Sequence, residues 1–386
     1  MKFKSLMLGS AAALLAVSGA RAADAVVAPE PEPANYVKVC DAYGSGFYYI
    51  PGTQTCFSIN GYVWWQMGAN SNQNDGSDTP GYYNYDHRGW DTSSRVRVNM
   101  DARSETELGT LRGWVRFQAS WNPSAGKHGS TIDGPVGIDQ AWVQLGGFVA
   151  GYGESSWFYQ FNNSTLNYGT FSWGGLYYSY QERSSIKYEF GGKQGIYGVI
   201  SLEDPADEVS YVPDVVGRIG YAAGWGAVAV TGAYDHNYGQ SFPGSSGSGA
   251  FVVKGEALFN LPGTPGTMFK IAGGYASADS NYGADNPLVG EAFVGGPTYG
   301  HAQWYALASL QYQVNPNLAL IASGEYMGNL YEQYTDNKTN ESAWAAEVSA
   351  VWLPVKDFEI RPEIVYTKAD HLDGTVSGFL RFTRYF

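Results

Sequence analysis

From Phe57 to the C-terminus the chain repeats one pattern: segments of about ten residues alternate apolar and polar positions, separated by turns that are alternately short and long. In Arg95-Val96-Arg97-Val98-Asn99-Met100-Asp101-Ala102-Arg103 the odd positions are charged or polar and the even ones apolar. A strand with that period has one face in water and the other in an apolar medium. A tight turn at Glu107-Leu108-Gly109 follows, and the next strand sets Arg112, Arg116, Gln118 and Ser120 on one face and Leu111, Val115, Phe117, Ala119 and Trp121 on the other. The same parity produces the apolar faces Phe57-Ile59-Val63-Trp65-Met67, Ile186-Tyr188-Phe190, Phe251-Val253-Ala257-Phe259, Phe269-Ile271-Tyr275 and Trp344-Ala346-Val348-Ala350-Trp352.

Further short turns are predicted at Gly146-Gly147, Gly191-Gly192, Gly224-Trp225-Gly226, Pro262-Gly263, Asn315-Pro316-Asn317 and Pro354-Val355-Lys356-Asp357. Long loops fall between them, among them Asn70 to Gly89, Asn122 to Gly137, Asp279 to Gly300 and Asn329 to Glu341. A soluble sandwich or propeller also alternates, but it buries its apolar face against a second sheet. Here Trp and Tyr recur near the strand ends, as girdles at a lipid interface do. The pattern therefore predicts an all-β fold, a transmembrane antiparallel β-barrel of roughly sixteen strands, with fourteen and eighteen as neighbouring even counts.

The N-terminus carries an export address. Lys2 and Lys4 form a basic region, Leu6 to Val17 is a short apolar core, and Ala20-Arg21-Ala22 is a small-residue cleavage site. No later segment reaches the ~20 apolar residues of a spanning helix. Residues 1–22 are read as a signal peptide, 23–56 as a periplasmic extension that includes the Pro- and Glu-rich stretch Ala25 to Pro33, and 57–386 as the barrel. Export combined with the barrel pattern predicts a bacterial outer-membrane location, with short turns in the periplasm, longer loops outside, and membrane lipid and lipopolysaccharide as surroundings.

Composition narrows the function. The formal charge of −13 grows more negative once a leader holding Lys2, Lys4 and Arg21 and no acid is removed, which argues against nucleic acid as a partner. The two cysteines, Cys40 and Cys56, lie in the extension, where an oxidising periplasm favours a local disulfide; two thiols without a nearby His leave zinc under-coordinated. His87, His128, His236, His301 and His371 fall in loops or at strand ends and none pairs with an outward Ser as a membrane-embedded hydrolase requires. No catalytic residue, metal site or cofactor is predicted.

Candidate chemistry lies instead on the inward face. Arg95, Arg97 and Arg103 share it with Arg112 and Arg116 of the neighbouring strand, and Arg183, Lys187 and Arg218 take inward positions further round. Guanidinium groups packed so closely need water and opposing acid, and a water-filled pore supplies both. Glu154 opens a long segment, Ser155 to Tyr180, rich in aromatics, Asn and Gly and ending near Glu182. A stretch of that length in a compact barrel is read as an inward-folded constriction loop, with Trp173-Gly174-Gly175 at a sharp bend. Acidic groups at Asp75, Asp78, Glu203-Asp204, Asp207-Glu208 and Asp214 are read as solvated loop carboxylates, with divalent-cation bridging to lipopolysaccharide as the alternative. Trp64, Trp114 and Trp142 are inward by parity and keep open a sugar-selective channel. A closed structural or adhesive barrel is the third reading. Overall charge favours cations in the pore whereas the arginines favour anions.

The segments Val39-Cys40-Asp41-Ala42-Tyr43-Gly44, Tyr49-Ile50-Pro51-Gly52-Thr53-Gln54-Thr55-Cys56 and Tyr211-Val212-Pro213-Asp214-Val215-Val216, with the Met1 to Pro33 leader and linker, resemble the alphaproteobacterial porins of rhizobia, Bartonella and Brucella. The strand Gly378 to Phe386 ends in an aromatic residue, and Phe386 resembles the assembly signal of such barrels. The resemblance implies a sixteen-stranded homotrimeric general porin passing small hydrophilic solutes. It also implies a third loop folded into the lumen, with Arg95, Arg97, Arg112 and Arg116 as the basic side of the eyelet. Trimer contacts are expected on the early strands, with the loop Asn122 to Gly137 latching a neighbour.

Overall fold

A computed structural model describes residues 38–71, 90–121, 136–158, 169–173, 176, 179–205, 211–236, 249–289, 298–370 and 372–386. The leader, the linker, His87, His128, His371, Asp75, Asp78, Asp207, Glu208, Gly174, Gly175 and most of the loop 122–137 lie outside the described residues. Among the described residues, strands β2 (Cys56–Asn70), β3 (Trp90–Thr106), β4 (Gly109–Trp121), β5 (Gly137–Leu145), β6 (Phe148–Glu154), β7 (Glu182–Gly191), β8 (Gly195–Glu203) and β9 (Asp214–Ala223) form half of one sheet. The other half comprises β10 (Gly226–Asp235), β11 (Ala250–Asn260), β12 (Met268–Ala276), β13 (Tyr299–Asn315), β14 (Leu318–Glu332), β15 (Ala343–Val355), β16 (Phe358–Ala369) and β17 (Thr375–Tyr385). Each strand pairs antiparallel with its neighbours in sequence, and β17 pairs with β2, so these sixteen strands close into a barrel. A two-residue strand, β1 (Tyr48–Tyr49), adds to the foot of β2.

Closure follows from the solvent. Inside a bilayer no water satisfies an unpaired N–H or C=O, so a spanning sheet has to leave no edge. At the seam Tyr385 pairs with Tyr62 and Ser377 with Asn70. The last residue completes it: Gly61 N–H donates to Phe386 O at 2.9 Å and Phe386 N–H donates to Gly61 O at 3.1 Å. A Cβ at position 61 would lie 2.1 Å from the Arg97 carbonyl oxygen and 3.1 Å from the Phe386 ring, so only glycine lets three strands meet there.

The predicted parity holds along the strands except where a bulge shifts the register, as in β5. In β11, Ala250, Val252, Lys254, Glu256 and Leu258 are buried inside while Phe251 and Val253 are exposed outside. The outer wall presents Val63, Ile186, Ile200, Ile219, Val230, Ile271 and Val348 to its surroundings. Aromatic residues rim that band at both heights: Tyr188, Tyr221, Tyr312 and Trp352 near the short turns, and Phe251, Tyr275, Trp304 and Trp344 near the long loops. The predicted short turns all fall at one end of the barrel, and the described strand ends that lead into the long connections lie at the other.

Both described chain ends sit at the short-turn end. Cys40 and Cys56 are joined by a disulfide with Cα atoms 5.9 Å apart, and Phe47 packs on them. Arg103 lies over the rings of Tyr43 and Phe47, and the Tyr43 hydroxyl donates to Glu105 at 2.8 Å, which holds the extension against the foot of β3.

Substituting Gly61→Ala forces backbone apart at the seam and is expected to cost about 1–3 kcal/mol, a typical penalty for overpacking. The check is the temperature at which the folded, heat-modifiable band disappears on a gel, which falls in the variant.

Candidate functional site

β3 and β4 build a basic wall because their inward positions are filled by arginine at offset registers. Arg95 faces Ser120, Arg97 faces Gln118 and Asn99 faces Arg116, so each guanidinium meets a neutral partner across the ladder. Arg95 Nε donates to Ser120 Oγ at 2.9 Å, Arg97 Nε to Gln118 Oε1 at 2.9 Å and Arg116 Nε to Asn99 Oδ1 at 3.2 Å. Arg103 and Arg112 are directly opposed, an arrangement that like charges destabilise. Asp101 resolves it: its two oxygens accept from Arg103 at 2.9 and 2.6 Å and from Arg112 at 2.9 and 2.8 Å.

Further acids reach this wall from the next strands. Arg116 Nη1 lies 3.5 Å from Asp139, 3.7 Å from Glu154 and 4.0 Å from Glu182, and Arg97 lies 3.5 Å from Asp139. Strict alternation turns Asp139 outward, since Gln140 and Trp142 are inward. The β4–β5 register, however, jumps from Arg116↔Gln140 to Phe117↔Ile138. That bulge leaves Asp139 unpaired in the ladder and aims its carboxylate at the arginines, which is why parity alone misses it. Glu154 and Glu182 face each other across β6 and β7 at the root of the long loop. Gln140 Nε2 and the Tyr180 hydroxyl each donate to Glu182 at 2.8 Å. Burial and the Glu154 and Glu182 carboxylates push the Tyr180 phenol well up, so it stays a proton donor there.

Aromatic rings interleave with the guanidinium groups. Trp114 and Trp142 stack with centroids 5.7 Å apart and planes 14° off parallel, and Arg112 sits over both, 5.1 and 4.7 Å from their centroids. Arg95 lies 5.4 Å from Trp64. Arg381, which parity on the last strand also turns inward, lies 4.6 Å from Trp64 and 4.2 Å from Trp173 and donates to Gln66 at 2.8 Å.

The stretch 155–181 contains no charged residue. Its described residues enter the barrel and meet inward-facing side chains of the far wall. Trp157 and Phe158 are buried against Lys254, 4.6 and 4.9 Å from its ammonium, and Phe171 lies 5.5 Å from that of Lys270. Beyond these, Phe171 N–H donates to Ser309 Oγ at 3.1 Å, Thr170 Oγ1 to Glu347 at 3.4 Å and Trp173 N–H to Glu363 at 3.4 Å. A loop without charge is thus held by cations under its rings and carboxylates under its amides. The inward fold of the loop, expected from its length, is what the described residues adopt.

The inward arginines divide into two sets. Arg97, Arg112 and Arg116 keep 22%, 22% and 14% of their side-chain surface, whereas Arg183 and Arg218 keep 2% each. Arg183 lies 3.6 Å from Asp214 and donates to the Asp204 carbonyl, and Arg218 pairs with Glu256 at 2.9 Å. Both therefore sit away from the β3–β4 wall. Lys187 is half-buried and donates to the Glu154 carbonyl at 3.3 Å. Glu203 and Asp214, expected in solvated loops, are buried at the ends of β8 and β9: Glu203 accepts from Ser155 Oγ at 2.6 Å and from Ser156 N–H at 2.7 Å, bolting the loop root to the wall.

Removing Asp101 leaves Arg103 and Arg112 opposed without a counter-charge. Asp101→Ala is expected to lower stability by about 1–3 kcal/mol, as loss of a buried charged acceptor does, without changing which face the strand residues take. Thermal unfolding of the detergent-solubilised protein measures it.

Three comparisons bear on this arrangement. Residues 24–378 match the family model described as Porin subfamily. Porin Omp2b of Brucella canis is 35% identical and that of Brucella abortus 36% identical, each over 100% of both chains. Among solved structures, the outer membrane channel DcaP of Acinetobacter baumannii superposes with a TM-score of 0.62 at 13% identity, covering 88% of this chain and 99% of its own. A loop-deletion form of OmpT of Vibrio cholerae gives 0.54 at 13% identity over 86% and 100%. These two share the fold.

Proposed function

The chain belongs to the porin subfamily and is an outer-membrane channel of the alphaproteobacterial type, and from that premise we propose that it is a general diffusion pore. Its narrowest part lies between the inward loop 155–181 and the arginine wall of β3 and β4. The observation that carries this reading is the split in exposure: the loop covers the wall that holds Lys254, Lys270 and Glu347, while Arg97 and Arg112 keep 22% of their side-chain surface. Small hydrophilic solutes and ions pass along that wall, and Arg95, Arg97, Arg112 and Arg116 supply its positive side. Asp139, Glu154 and Glu182 supply counter-charge beside Arg116. The field is thus set within one wall, with a neutral, aromatic loop opposite.

The working form is a homotrimer with contacts on the early strands, which carry the exposed apolar residues Val63, Trp65 and Met67. The long-loop end meets lipopolysaccharide, and Phe386 at the seam is the segment that assembly machinery recognises. Cleavage after Ala22 releases the leader, and residues 23–56 form the periplasmic extension.

A second reading rests on the Trp114–Trp142 stack beside Arg112, which presents a flat apolar face next to hydrogen-bond donors, as a sugar-selective channel does. Saturable block of ion current by low concentrations of an oligosaccharide favours that reading. Failure of small sugars to enter liposomes at all would instead support a closed barrel.

Arg112→Ala combined with Arg116→Ala removes two positive charges and exposes Asp139, Glu154 and Glu182. In planar bilayers under a salt gradient the reversal potential is expected to shift towards cation selectivity and the conductance to rise. An unchanged reversal potential and conductance would remove the constriction from β3 and β4. Crosslinking of the protein in native membrane, resolved without heating, is expected to give three linked copies.

A further inference from the structure

The connection after β12 also turns into the barrel. Among its described residues 277–289, Tyr282 and Leu288 are 1% exposed, although they lie in a segment that alternation alone assigns to an outer loop. The Tyr282 hydroxyl reaches the inward faces of β8 and β9, donating to Glu203 at 3.2 Å and Asp214 at 3.1 Å, and its ring meets Trp157 edge-on at 5.8 Å. Burial and the Glu203 charge push that phenol well up, which keeps it protonated and donating. Leu288 and Ala284 pack with Leu176, Met327 and Leu330.

These contacts fall on the return limb of the loop 155–181 where its backbone is least relaxed. Leu176 and Ser179 have φ of 57° and 60°, a left-handed conformation that side chains with a Cβ adopt only when their surroundings impose it. The Ser179 hydroxyl donates to the Gly283 carbonyl and accepts from the Asp285 N–H at 2.7 Å, and Gln181 Nε2 donates to the Asn281 carbonyl at 3.1 Å.

The segment that supplies these contacts is itself fastened at several points. The Asp279 carboxylate accepts from the backbone N–H groups of His301 and Tyr334, each at 2.7 Å, and lies 2.7 Å from His301 Nδ1. His301 Nε2 lies 3.3 Å from Asp285, closing a bridge between the two ends of the inward turn. Ser280 donates to Asp235 at 2.6 Å and Asn286 to the Gly300 carbonyl at 2.8 Å. Burial alone would raise the Asp279 carboxyl, but the His301 ring and the backbone donors outweigh it and hold it below the usual carboxylate range.

We propose that residues 277–289 clamp the constriction loop, and that Ser179 and Leu288 are positioning residues that set the bore without touching a permeating solute. The proposal rests on the reading of 155–181 as the constriction and adds what holds it there. A loop in strained backbone states relaxes when its partners are removed, so the bore ceases to have one fixed size.

The test uses the full-length protein in planar bilayers and liposomes, with Ser179→Ala and Leu288→Ala singly and together. Open-channel noise is expected to rise, sublevels to appear and the largest neutral sugar admitted to change. The reversal potential stays at the wild-type value, because no charge is altered. Wild-type noise, conductance levels and sugar cut-off in a barrel with wild-type heat-modifiability would overturn the clamp. Should Leu288→Ala assemble poorly, Ser179→Ala removes a single hydroxyl and decides the question alone. A shifted reversal potential in the Arg112/Arg116 double variant with silent clamp variants sinks the clamp only; silence in both sets sinks the constriction as well.

Discussion

A strand that crosses a bilayer has to place every backbone donor and acceptor in a partner's hands, and this chain meets that demand by returning its last strand to its first. The Tyr385–Tyr62 pairing and the reciprocal bonds between Gly61 and Phe386 close the ladder. With no edge left, each strand is forced to sort its side chains into lipid-facing and water-facing sets. That sorting places the arginines of β3 and β4 side by side. The same constraint makes the loop 155–181 a guest of the wall, because mid-strand main-chain groups are already paired in the ladder and side chains are left to hold it. The loop 155–181 accordingly bonds to side chains such as Ser309, Glu347 and Glu363.

Parity was legible in the residues because a one-place slip would move a whole apolar face into water. It identified the outward sets Ile186-Tyr188-Phe190 and Trp344 to Trp352 and the inward arginines together. Parity states a face and nothing about what stands in front of it. Arg183 and Arg218 point inward as expected, yet each is covered and paired with its own acid, Asp214 or Glu256. Asp139 escaped altogether because a bulge inserts one residue and reverses the count for a single position. The path of the uncharged loop was legible only as a length. Its anchors are Lys254, Lys270, Glu347 and Glu363, which lie far along the chain and pair with no complementary charge in the loop itself.

The lumen side therefore holds two kinds of ionic residue. One kind sits under the loops, nearly dry, where cations lie beneath rings and carboxylates accept from amides and hydroxyls. The other remains partly wet along β3 and β4, where four arginines meet four acids: Arg103 and Arg112 flank the buried Asp101, and Asp139, Glu154 and Glu182 lie around Arg116, with Arg97 also reaching Asp139. The buried set is a structural fixture whose removal leaves unpaired charge in a low-dielectric interior. The wet set answers to ionic strength, since water and salt reach it.

The absence of charge from 155–181 has an electrical consequence. The arginines of the β3–β4 wall and the acids beside them are carried on hydrogen-bonded strands, so a displacement of the loop 155–181 would move dielectric but transport no charge. On the proposed reading, the aperture and the electrostatic potential are separable variables, one belonging to an uncharged insert and the other to the strand residues of the wall. A change confined to the loop would then alter conductance while ion preference, set by fixed sources, would stay steady.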